Sequence, residues 1–353
     1  MVRFAAKGVA RYGFAAVALG FAVFAAAQPV TVADVVALVK AAIAHKQGDG
    51  SVARALDKLQ LSDHLNDRAV EELESLGAGP KTVEALVNLR DRSARMPPAD
   101  PQPFASPPLP SATERTEALN RAAHAATQYL NNLPDFICEE EVTRFEDWGS
   151  KGKWRQKDVL EIKLTYFDHI ENYHLVAADH RPARVDLDAV SGAHSEGEFG
   201  SMLNEIFRAG SHARFTWDHW TTLRTHKAHV FRYWILRENS TYKIMFDLGL
   251  HAGQANSVMA GEHGAIYVDA DSGQTLRAQQ TADSIPADFP VTGASTVLDY
   301  DFVSVGGRQF LLPLRAEVRM ESPALSTRNE VRFKNYRKFN GESSITFDTP
   351  GKL

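Results

Sequence analysis

The sequence is poor in cysteine, and it lacks the short motifs that mark most catalytic and metal sites. Cys138 is the one cysteine among 353 residues, so no disulfide can form within the chain. There is no Gly-x-Ser-x-Gly elbow, no His-Glu-x-x-His pair and no dinucleotide fingerprint. The net charge of -5 argues against a general binder of nucleic acid or of anionic membranes. We therefore expect a protein without cofactor or metal, stabilised by apolar burial alone.

The first 27 residues have the layout of a secretory signal peptide. Arg3, Lys7 and Arg11 precede an apolar run from Gly13 to Ala26 that ends in small residues. This run is short for a membrane span, and no second long apolar stretch follows it. We expect cleavage just before Gln28 and a periplasmic or secreted protein with no integral membrane span. An uncleaved membrane anchor is the alternative.

Proline marks the clearest boundary in the chain. Seven of the sixteen prolines lie between Met96 and Thr113. Proline stiffens a chain into an extended spacer because it fixes the backbone and lacks an N–H donor. We interpret residues 96–113 as a semi-rigid linker between a small domain, residues 28–95, and a larger domain, residues 114–353.

The small domain is predicted to be helical, with a hairpin at Gly77-Ala78-Gly79-Pro80. Apolar residues recur at helical spacing on both sides of this loop. Glycine after one helix and proline at the first position of the next are typical of such a hairpin.

This hairpin resembles the helix-hairpin-helix DNA-binding motif, in which the glycine loop and the next helix N-terminus hold a phosphate. Lys81 and Thr82 follow the loop, but Ala78 stands where a bulky apolar residue is usual. Residues 28–95 carry nine basic and ten acidic residues, whereas a phosphate binder has a basic footprint. We therefore expect a helical module that contacts an envelope protein partner rather than nucleic acid, with DNA binding as the alternative.

The larger domain is predicted to begin with one helix and to continue in strands. Thr113 or Thr116 is expected to cap this helix, and Pro134 to end it. Apolar and polar residues then alternate in about ten runs from Phe136 to Phe347, with one short helix in Ser195–Gly210. Pro313 indicates an edge or a bulge. The fold class is α+β: a curved antiparallel meander of about ten strands, open like a half-barrel, with a covering helix and a small all-α segment before it.

The stretch Asp269-Ala270-Asp271-Ser272-Gly273 has two carboxylates and a glycine, as some metal loops do. A calcium hand loop needs glycine at its sixth position and glutamate at its twelfth. Counted from Asp269, glycine is fifth and Gln280 is twelfth. Because strands are predicted on both sides, we interpret the stretch as a hairpin turn.

Histidine and the lone cysteine are the remaining candidates for chemistry. His226 and His229 are three apart, a spacing that points them to opposite faces of a strand and disfavours a shared metal ion. We interpret the histidines as solvated surface groups, and Cys138 as a buried apolar residue rather than a reactive thiol. A hydrolase that uses His194 or Cys138 remains an alternative, because catalytic partners can be distant in sequence.

The order of elements resembles the periplasmic lipoprotein-carrier (LolA-like) superfamily. The resemblance rests on one amphipathic helix, about ten meandering strands and the hairpin "VDADSGQTLR", and it covers residues 114–350. Stretches such as "LPDFIC" and "EVRFKNYRKF" are also similar to exported bacterial proteins of unknown function. The superfamily implies an unclosed antiparallel barrel around an apolar cavity plugged by helices, and it implies no catalytic residues.

We therefore predict an exported, non-enzymatic binding protein that holds an acyl chain, a lipoprotein or an apolar peptide. The alternative is an envelope interaction or sensor module without a ligand. Strand residues with one apolar face are predicted to line the cavity; they are Leu160, Ile162, Leu164, Tyr166, Tyr242, Ile244, Phe246, Phe310, Leu312 and Leu314. If the covering helix fills that face, the same residues are core.

Overall fold

The structure is a computed structural model that describes residues 29–104, 107–150, 152–168, 170–183, 185–187, 190, 200–246 and 256–339. The predicted signal peptide, residues 1–27, lies outside the described residues, as do His194 and Ser195. No helix in the described part is both long enough and apolar enough to cross a membrane.

The first four helices of the described part form a small N-terminal bundle, and the two later helices pack against the sheet. Their bounds are α1 Val32–Ala44, α2 Asp49–Leu56, α3 Asp67–Ser75, α4 Pro80–Ser93, α5 Ala112–Asn132 and α6 Ser201–Phe207. The predicted hairpin lies between α3 and α4, with Gly77 in the left-handed region at φ 107° and Pro80 at the first helical position.

The loop before α4 holds a carboxylate of the protein itself. Asp49, the first residue of α2, accepts hydrogen bonds from the backbone N–H of Lys81 at 2.9 Å and of Thr82 at 2.8 Å. A Cβ on Gly79 would lie 2.5 Å from the Asp49 carboxyl carbon, so only glycine leaves room for this contact. Asp49 thus occupies the N-terminal position where the DNA-binding motif holds a phosphate.

The strands of the described part number thirteen, and eleven of them form one antiparallel sheet. Their bounds are β1 Phe136–Trp148, β2 Arg155–Phe167, β3 Ile170–Ala178, β4 Arg181–Pro182, β5 Arg214–Leu223, β6 His226–Ile235, β7 Lys243–Phe246, β8 Asn256–Met259, β9 Gly261–Asp269, β10 Thr275–Asp283, β11 Gly293–Val305, β12 Arg308–Glu321 and β13 Leu325–Lys338.

The sheet is open, with the order β4-β3-β2-β1-β13-β12-β11-β10-β9-β6-β5. The chain starts at the centre with β1, runs outward to the edge at β4, crosses to the opposite edge at β5 and returns to the centre at β13. Strands β7 and β8 lie between β6 and β9 in the sequence and form a separate two-stranded sheet. The predicted α+β fold with an open antiparallel sheet is confirmed. The pairing of β1 with β13 joins the first and last strands, which a simple meander would not do.

Helix α5 covers one face of the sheet through a row of alanines. Ala118, Ala122 and Ala126 are buried in the main apolar core, and Leu119 and Tyr129 pack against it. These residues form the apolar side by which α5 contacts the sheet.

The predicted cap of α5 was wrong, because neither Thr113 nor Thr116 precedes the helix. Ser111 does, and its side chain accepts a hydrogen bond from the backbone N–H of Glu114 at 3.1 Å. The helix therefore starts within the proline-rich stretch, where the serine hydroxyl satisfies an N–H group that has no partner in the first turn.

The turn from β9 to β10 is the predicted hairpin. The Asp269 carboxylate accepts hydrogen bonds from the backbone N–H and the hydroxyl of Ser272, both at 2.7 Å. Gly273 has φ 74°, and a Cβ there would lie 2.7 Å from Cβ of Arg121 on α5. The glycine is thus required both by its backbone conformation and by the close approach of the helix.

The helical part, residues 29–104, has an apolar core of its own. This core shares no described residue with the core under α5. Ala99 and Phe104 belong to or pack against the helical core, so the first half of the proline-rich stretch lies on the helices. Further along that stretch, the carbonyl of Pro108 accepts a hydrogen bond from Trp220 of β5 at 3.1 Å. The division into domains at residues 96–113 stays a prediction.

Candidate functional site

A cavity of about 400 Å³ lies between α5 and the strands that it covers. Ala125, Ala126 and Tyr129 form its helical wall, and Phe302 and Phe310 form part of its sheet wall, with Leu203 of α6 nearby. The volume is within the range of about 300–1,000 Å³ that is usual for small-molecule sites. Since two of the helix residues are alanines, the space exists where larger side chains would fill it.

Three buried polar atoms line this cavity without a hydrogen-bond partner in the described part of the chain. They are the Tyr129 hydroxyl, Oε1 of Gln274 and Oγ1 of Thr275. Burial also raises the pKa of Tyr129 well above its usual range, so its hydroxyl stays protonated. Buried polar groups nearly always find a partner. A ligand or a water that donates to Gln274 and meets the two hydroxyls would supply it.

The mouth of the cavity is polar and carries one cation. Gln128 and Asn132 of α5 stand on one side, and Arg308 and Gln309 at the start of β12 stand on the other; all four are exposed. The Arg308 guanidinium lies 5.3 Å from the ring centre of Phe310. The site therefore combines an apolar interior, a small polar cluster inside and a hydrated rim.

Five of the ten predicted lining residues belong to the filled core under α5. Each is at most 4% exposed; they are Leu160, Ile162, Leu164, Tyr166 and Leu312. Strand pairing brings the first four beside Phe136, Cys138 and Val142 of β1. Phe310 alone of the predicted residues whose side chains are described lines the cavity. The lining role of the set stays a prediction.

The other predicted lining residues lie elsewhere. Ile244 is buried in a small separate core beside the two-stranded sheet, and Tyr242 packs against it. The side chain of Phe246 lies outside the described residues. Leu314 is 37% exposed, because the pairing of β11 with β12 slips by one residue where Tyr300 meets Pro313. This is the bulge that Pro313 indicated, in a central strand rather than at an edge.

Cys138 is fully buried between Phe136 and the rest of the apolar core, as predicted. Burial raises the pKa of its thiol far above the usual range, so it is not a thiolate at neutral pH. The other residue proposed for a hydrolase, His194, lies outside the described residues.

The histidines differ from the predicted solvated groups most clearly at His229. His229 is buried, and its Nδ1 accepts a hydrogen bond from the Trp217 indole at 3.2 Å. Burial lowers the pKa of His229 to about 4, so it is neutral. His226 lies 3.0 Å from Asp269 instead of sharing a site with His229. Within the described ranges, no group of three or more potential metal-ligating side chains comes together.

Sequence reasoning missed most of the cavity. Ala125 is a small residue in an amphipathic helix, and nothing in its spacing distinguishes a cavity wall from a tight helix contact. Gln274 and Thr275 follow a turn and read as the start of a strand. The available signal was the run of alanines in α5, which indicates a helix with little volume to fill the sheet below it.

No protein-family model matches the chain, and no curated protein matches it either. Solved structures do resemble it. A DUF1329 family protein from Desulfovibrio piger shares 12% identity at a TM-score of 0.34, over 65% of this chain and 94% of that chain. A LolA superfamily protein from Nitrosomonas europaea shares 11% identity at a TM-score of 0.29, over 64% and 93%.

A third likeness is to a putative outer membrane lipoprotein-sorting protein domain from Vibrio parahaemolyticus. It shares 8% identity at a TM-score of 0.28, over 65% of this chain and 93% of that chain. The superfamily that the sequence resembles is thus among the structural matches. At identities and TM-scores this low, a likeness does not extend to ligand or activity.

Proposed function

We propose that this chain is a non-enzymatic binding protein of the cell envelope that holds an apolar ligand in the cavity under α5. The ligand is an acyl chain or an apolar peptide that carries at least one hydrogen-bond donor. The observation that carries this proposal is the pairing of an apolar cavity with three unpartnered polar atoms, at Tyr129, Gln274 and Thr275. An apolar body would replace water against Phe302 and Phe310, while its polar group would meet Gln274.

The proposal places the ligand at one end of the covered face rather than across the whole of it. Leu160, Ile162 and Leu164 are covered by packed side chains and leave no space for a ligand in this conformation. Binding of a long acyl chain beyond the cavity would need α5 to move. A chain of modest length, or one end of a longer chain, fits the space without such a movement.

A non-enzymatic role is supported by the chemistry of the cavity walls. Tyr129 keeps its proton, and no cysteine, histidine or carboxylate is among the described residues that line the cavity. Envelope localisation is supported by the basic and apolar leader before Gln28. N-terminal sequencing of the mature protein is expected to begin at Gln28; recovery of Met1 in membranes would contradict export with cleavage.

Binding of a dansyl-labelled fatty acid to the full chain tests the proposal. Ala125→Phe fills the cavity, so we expect the affinity of the probe to fall at least tenfold. Thr127→Phe adds the same side chain on the exposed side of the same helix and serves as the matched control. Circular dichroism would verify that both variants fold.

Removal of the polar cluster separates an amphiphile from a purely apolar ligand. Thr275→Val keeps the shape and removes the hydroxyl. We expect weaker binding of the fatty acid and no loss for a hydrocarbon probe of equal length. Equal binding by wild type and Ala125→Phe, or no binding to any of the proteins, would contradict the proposed function.

A further inference from the structure

The helical part is joined to the sheet through charged side chains of opposite sign. On one side is an acidic ridge, formed by Asp67, Glu71 and Glu74 of α3 and Glu84 of α4. On the other side is the outer face, the face of the sheet opposite α5. Its basic residues at the seam are His219, Arg232, Arg277, Arg315 and Arg328.

Strand alternation places these basic residues away from the core. Ala278, Leu298 and Ala316 are neighbours across β10, β11 and β12 and belong to the apolar core. The residues just before or after them therefore point to the outer face. There Arg277 and Arg315 flank Asp299, which lies 2.5 Å from the Nε of each.

The ion pairs of the seam all have the same arrangement of charge. Oδ2 of Asp67 lies 2.7 Å from Arg232, and Oε2 of Glu71 lies 2.8 Å from Nε2 of His219. Glu84 pairs with Arg328. In each pair the carboxylate comes from the helices and the cation from the sheet.

Glu74 contacts two arginines of the outer face. Both of its carboxylate oxygens lie 3.0 Å from Nη2 of Arg277, and one of them also accepts from Arg315. Glu71, one turn before Glu74 in α3, also accepts a hydrogen bond from the Tyr267 hydroxyl of the sheet at 2.6 Å. The acidic ridge thus fits a preformed row of donors on the outer face.

The spacing of the acidic ridge is that of one helix side. Asp67, Glu71 and Glu74 stand at i, i+4 and i+7 in α3, which brings their carboxylates onto one face. The outer face is therefore complementary to a helix that carries carboxylates at this spacing.

Two observations indicate that the seam can open. The two apolar cores share no described residue, so separation would not divide a common core. The seam also contains an open cleft of about 660 Å³ lined by Asp67, Arg90, His219 and Arg232, among others, which lets water and ions reach the pairs. Polar interfaces between domains permit relative motion. Salt screens the half-exposed pair of Asp67 and Arg232 more than the buried contacts of Glu71 and Arg277.

We propose that the outer face of the sheet is an interaction surface for an acidic helix of a partner protein, and that the helical part occupies it as an internal competitor. The partner helix carries carboxylates at i, i+4 and i+7. When it replaces α3, the helical part swings away on the proline-rich stretch, and the cations keep their pairing with carboxylates throughout.

The first test opens the seam in the full chain. A protease site placed between Phe104 and Pro107 would allow the folded protein to be cut without loss of either core. We expect the two pieces to stay together on size exclusion at low salt and to associate more weakly at 1 M salt, where the screening length is about 3 Å. Glu74→Gln should lower the salt concentration needed for this weakening. Asp57→Asn, an exposed acidic residue away from the seam, is the charge-matched control.

The second test asks for the acidic helix itself. A helical peptide of about twenty residues with glutamates at i, i+4 and i+7 should displace the cut helical piece at low salt, at a concentration at least tenfold below that of a peptide with the same glutamates at i, i+2 and i+5. In the uncut chain, Glu74→Gln should speed cleavage of the inserted site, a result that does not depend on separation of the pieces.

Three results would overturn the proposal. An association of the pieces that neither 1 M salt nor Glu74→Gln weakens would show that charge does not hold the seam. Equal displacement by both peptides would show unspecific attraction between opposite charges. Displacement by phosphatidylglycerol vesicles but not by the i, i+4, i+7 peptide would assign the face to an anionic membrane instead of a protein helix.

Discussion

The guanidinium of Arg277 on β10 lies 3.0 Å from both carboxylate oxygens of Glu74 on α3, across the seam between the helices and the sheet. Beneath it, Asp299 is 1% exposed as a side chain and pairs with both Arg277 and Arg315. Burial opposes the charge of Asp299, but the two arginines outweigh it and hold its pKa well below the usual range. The charged seam thus rests on a buried pair within the sheet itself.

Removal of the Asp299 charge should cost more stability than removal of the Glu74 charge. Asp299→Asn leaves two arginines facing each other with one carboxylate, and we expect a loss of about 3–5 kcal/mol in the free energy of unfolding. Glu74→Gln leaves Arg277 paired with Asp299, and we expect about 1–2 kcal/mol. Urea unfolding at pH 7 measures both. An equal cost for the two variants would contradict this ranking.

His219 should make stability fall at alkaline pH. Burial alone would lower its pKa, but hydrogen bonds to Asp218 and Glu71 outweigh burial and raise the pKa to about 9. Because the pKa is higher in the folded protein than in the unfolded chain, the stabilisation is complete below about pH 6.5 and is lost as the pH rises through about 9.

Urea unfolding of His219→Gln across pH 6.5 to 9.5 measures that contribution. The variant should lose the part of the pH dependence that wild type shows in this window. His124→Gln, an exposed change on α5, is the control and should behave as wild type. If His219→Gln keeps the wild-type pH dependence, the prediction is contradicted, because that dependence then comes from other groups.

Glu262 should act in a lower pH window. It is fully buried on β9, where Oε2 accepts from Gln280 and Oε1 has no partner in the described residues. Burial raises its pKa to about 7. The protonated form is therefore favoured by folding, and its contribution is lost as the pH rises from about 4.5 through 7.

Glu262→Gln should remove this dependence. At pH 8 the variant should be more stable than wild type by up to about 3 kcal/mol, since a shift of one pKa unit corresponds to about 1.4 kcal/mol. Glu238→Gln, an exposed glutamate, should change neither value. Thermal unfolding at pH 5 and pH 8 compares the three proteins. If Glu262→Gln is less stable than wild type at pH 8, the raised pKa of the buried Glu262 carboxylate is contradicted.

Leu164 and Leu314 provide a matched test of where the core is filled. Leu164 is fully buried in the apolar core to which α5 also contributes, whereas Leu314 is 37% exposed beyond the bulge at Pro313. We expect Leu164→Ala to cost about 2–5 kcal/mol, and Leu314→Ala to cost no more than about 0.5 kcal/mol. Urea unfolding decides. A tolerated Leu164→Ala would mean that α5 does not seal this region and that the ligand space is larger than the cavity described.

The alternation of apolar residues was enough to predict the class of fold. It placed a helix before an open antiparallel sheet, identified the turn at Asp269 to Gly273, and indicated an irregularity at Pro313. It did not determine that β13 returns to pair with β1 or that β7 and β8 leave the main sheet, because period-two patterns report a strand and one apolar face but carry no information about which strand is its neighbour.

The cavity and the seam could not be predicted from the sequence, for a different reason. Ala125 looks like any small residue in an amphipathic helix, and the orphaned oxygens of Gln274 and Thr275 depend on what surrounds them in three dimensions. The acidic residues of α3 read as a solvated face. Their role depends on arginines 165 to 241 residues further along the chain, and a composition near charge balance hides such a complementary pair of surfaces.

The central claim is that the cavity under α5 holds an apolar ligand. Native mass spectrometry of the full chain, purified from the cell envelope without detergent, tests it most directly. The account predicts an added mass that acid or organic solvent releases as an acyl compound or an apolar peptide, present in wild type and Thr127→Phe and absent in Ala125→Phe. A mass equal to the bare chain in wild type, with no uptake of added fatty acid, would contradict the account.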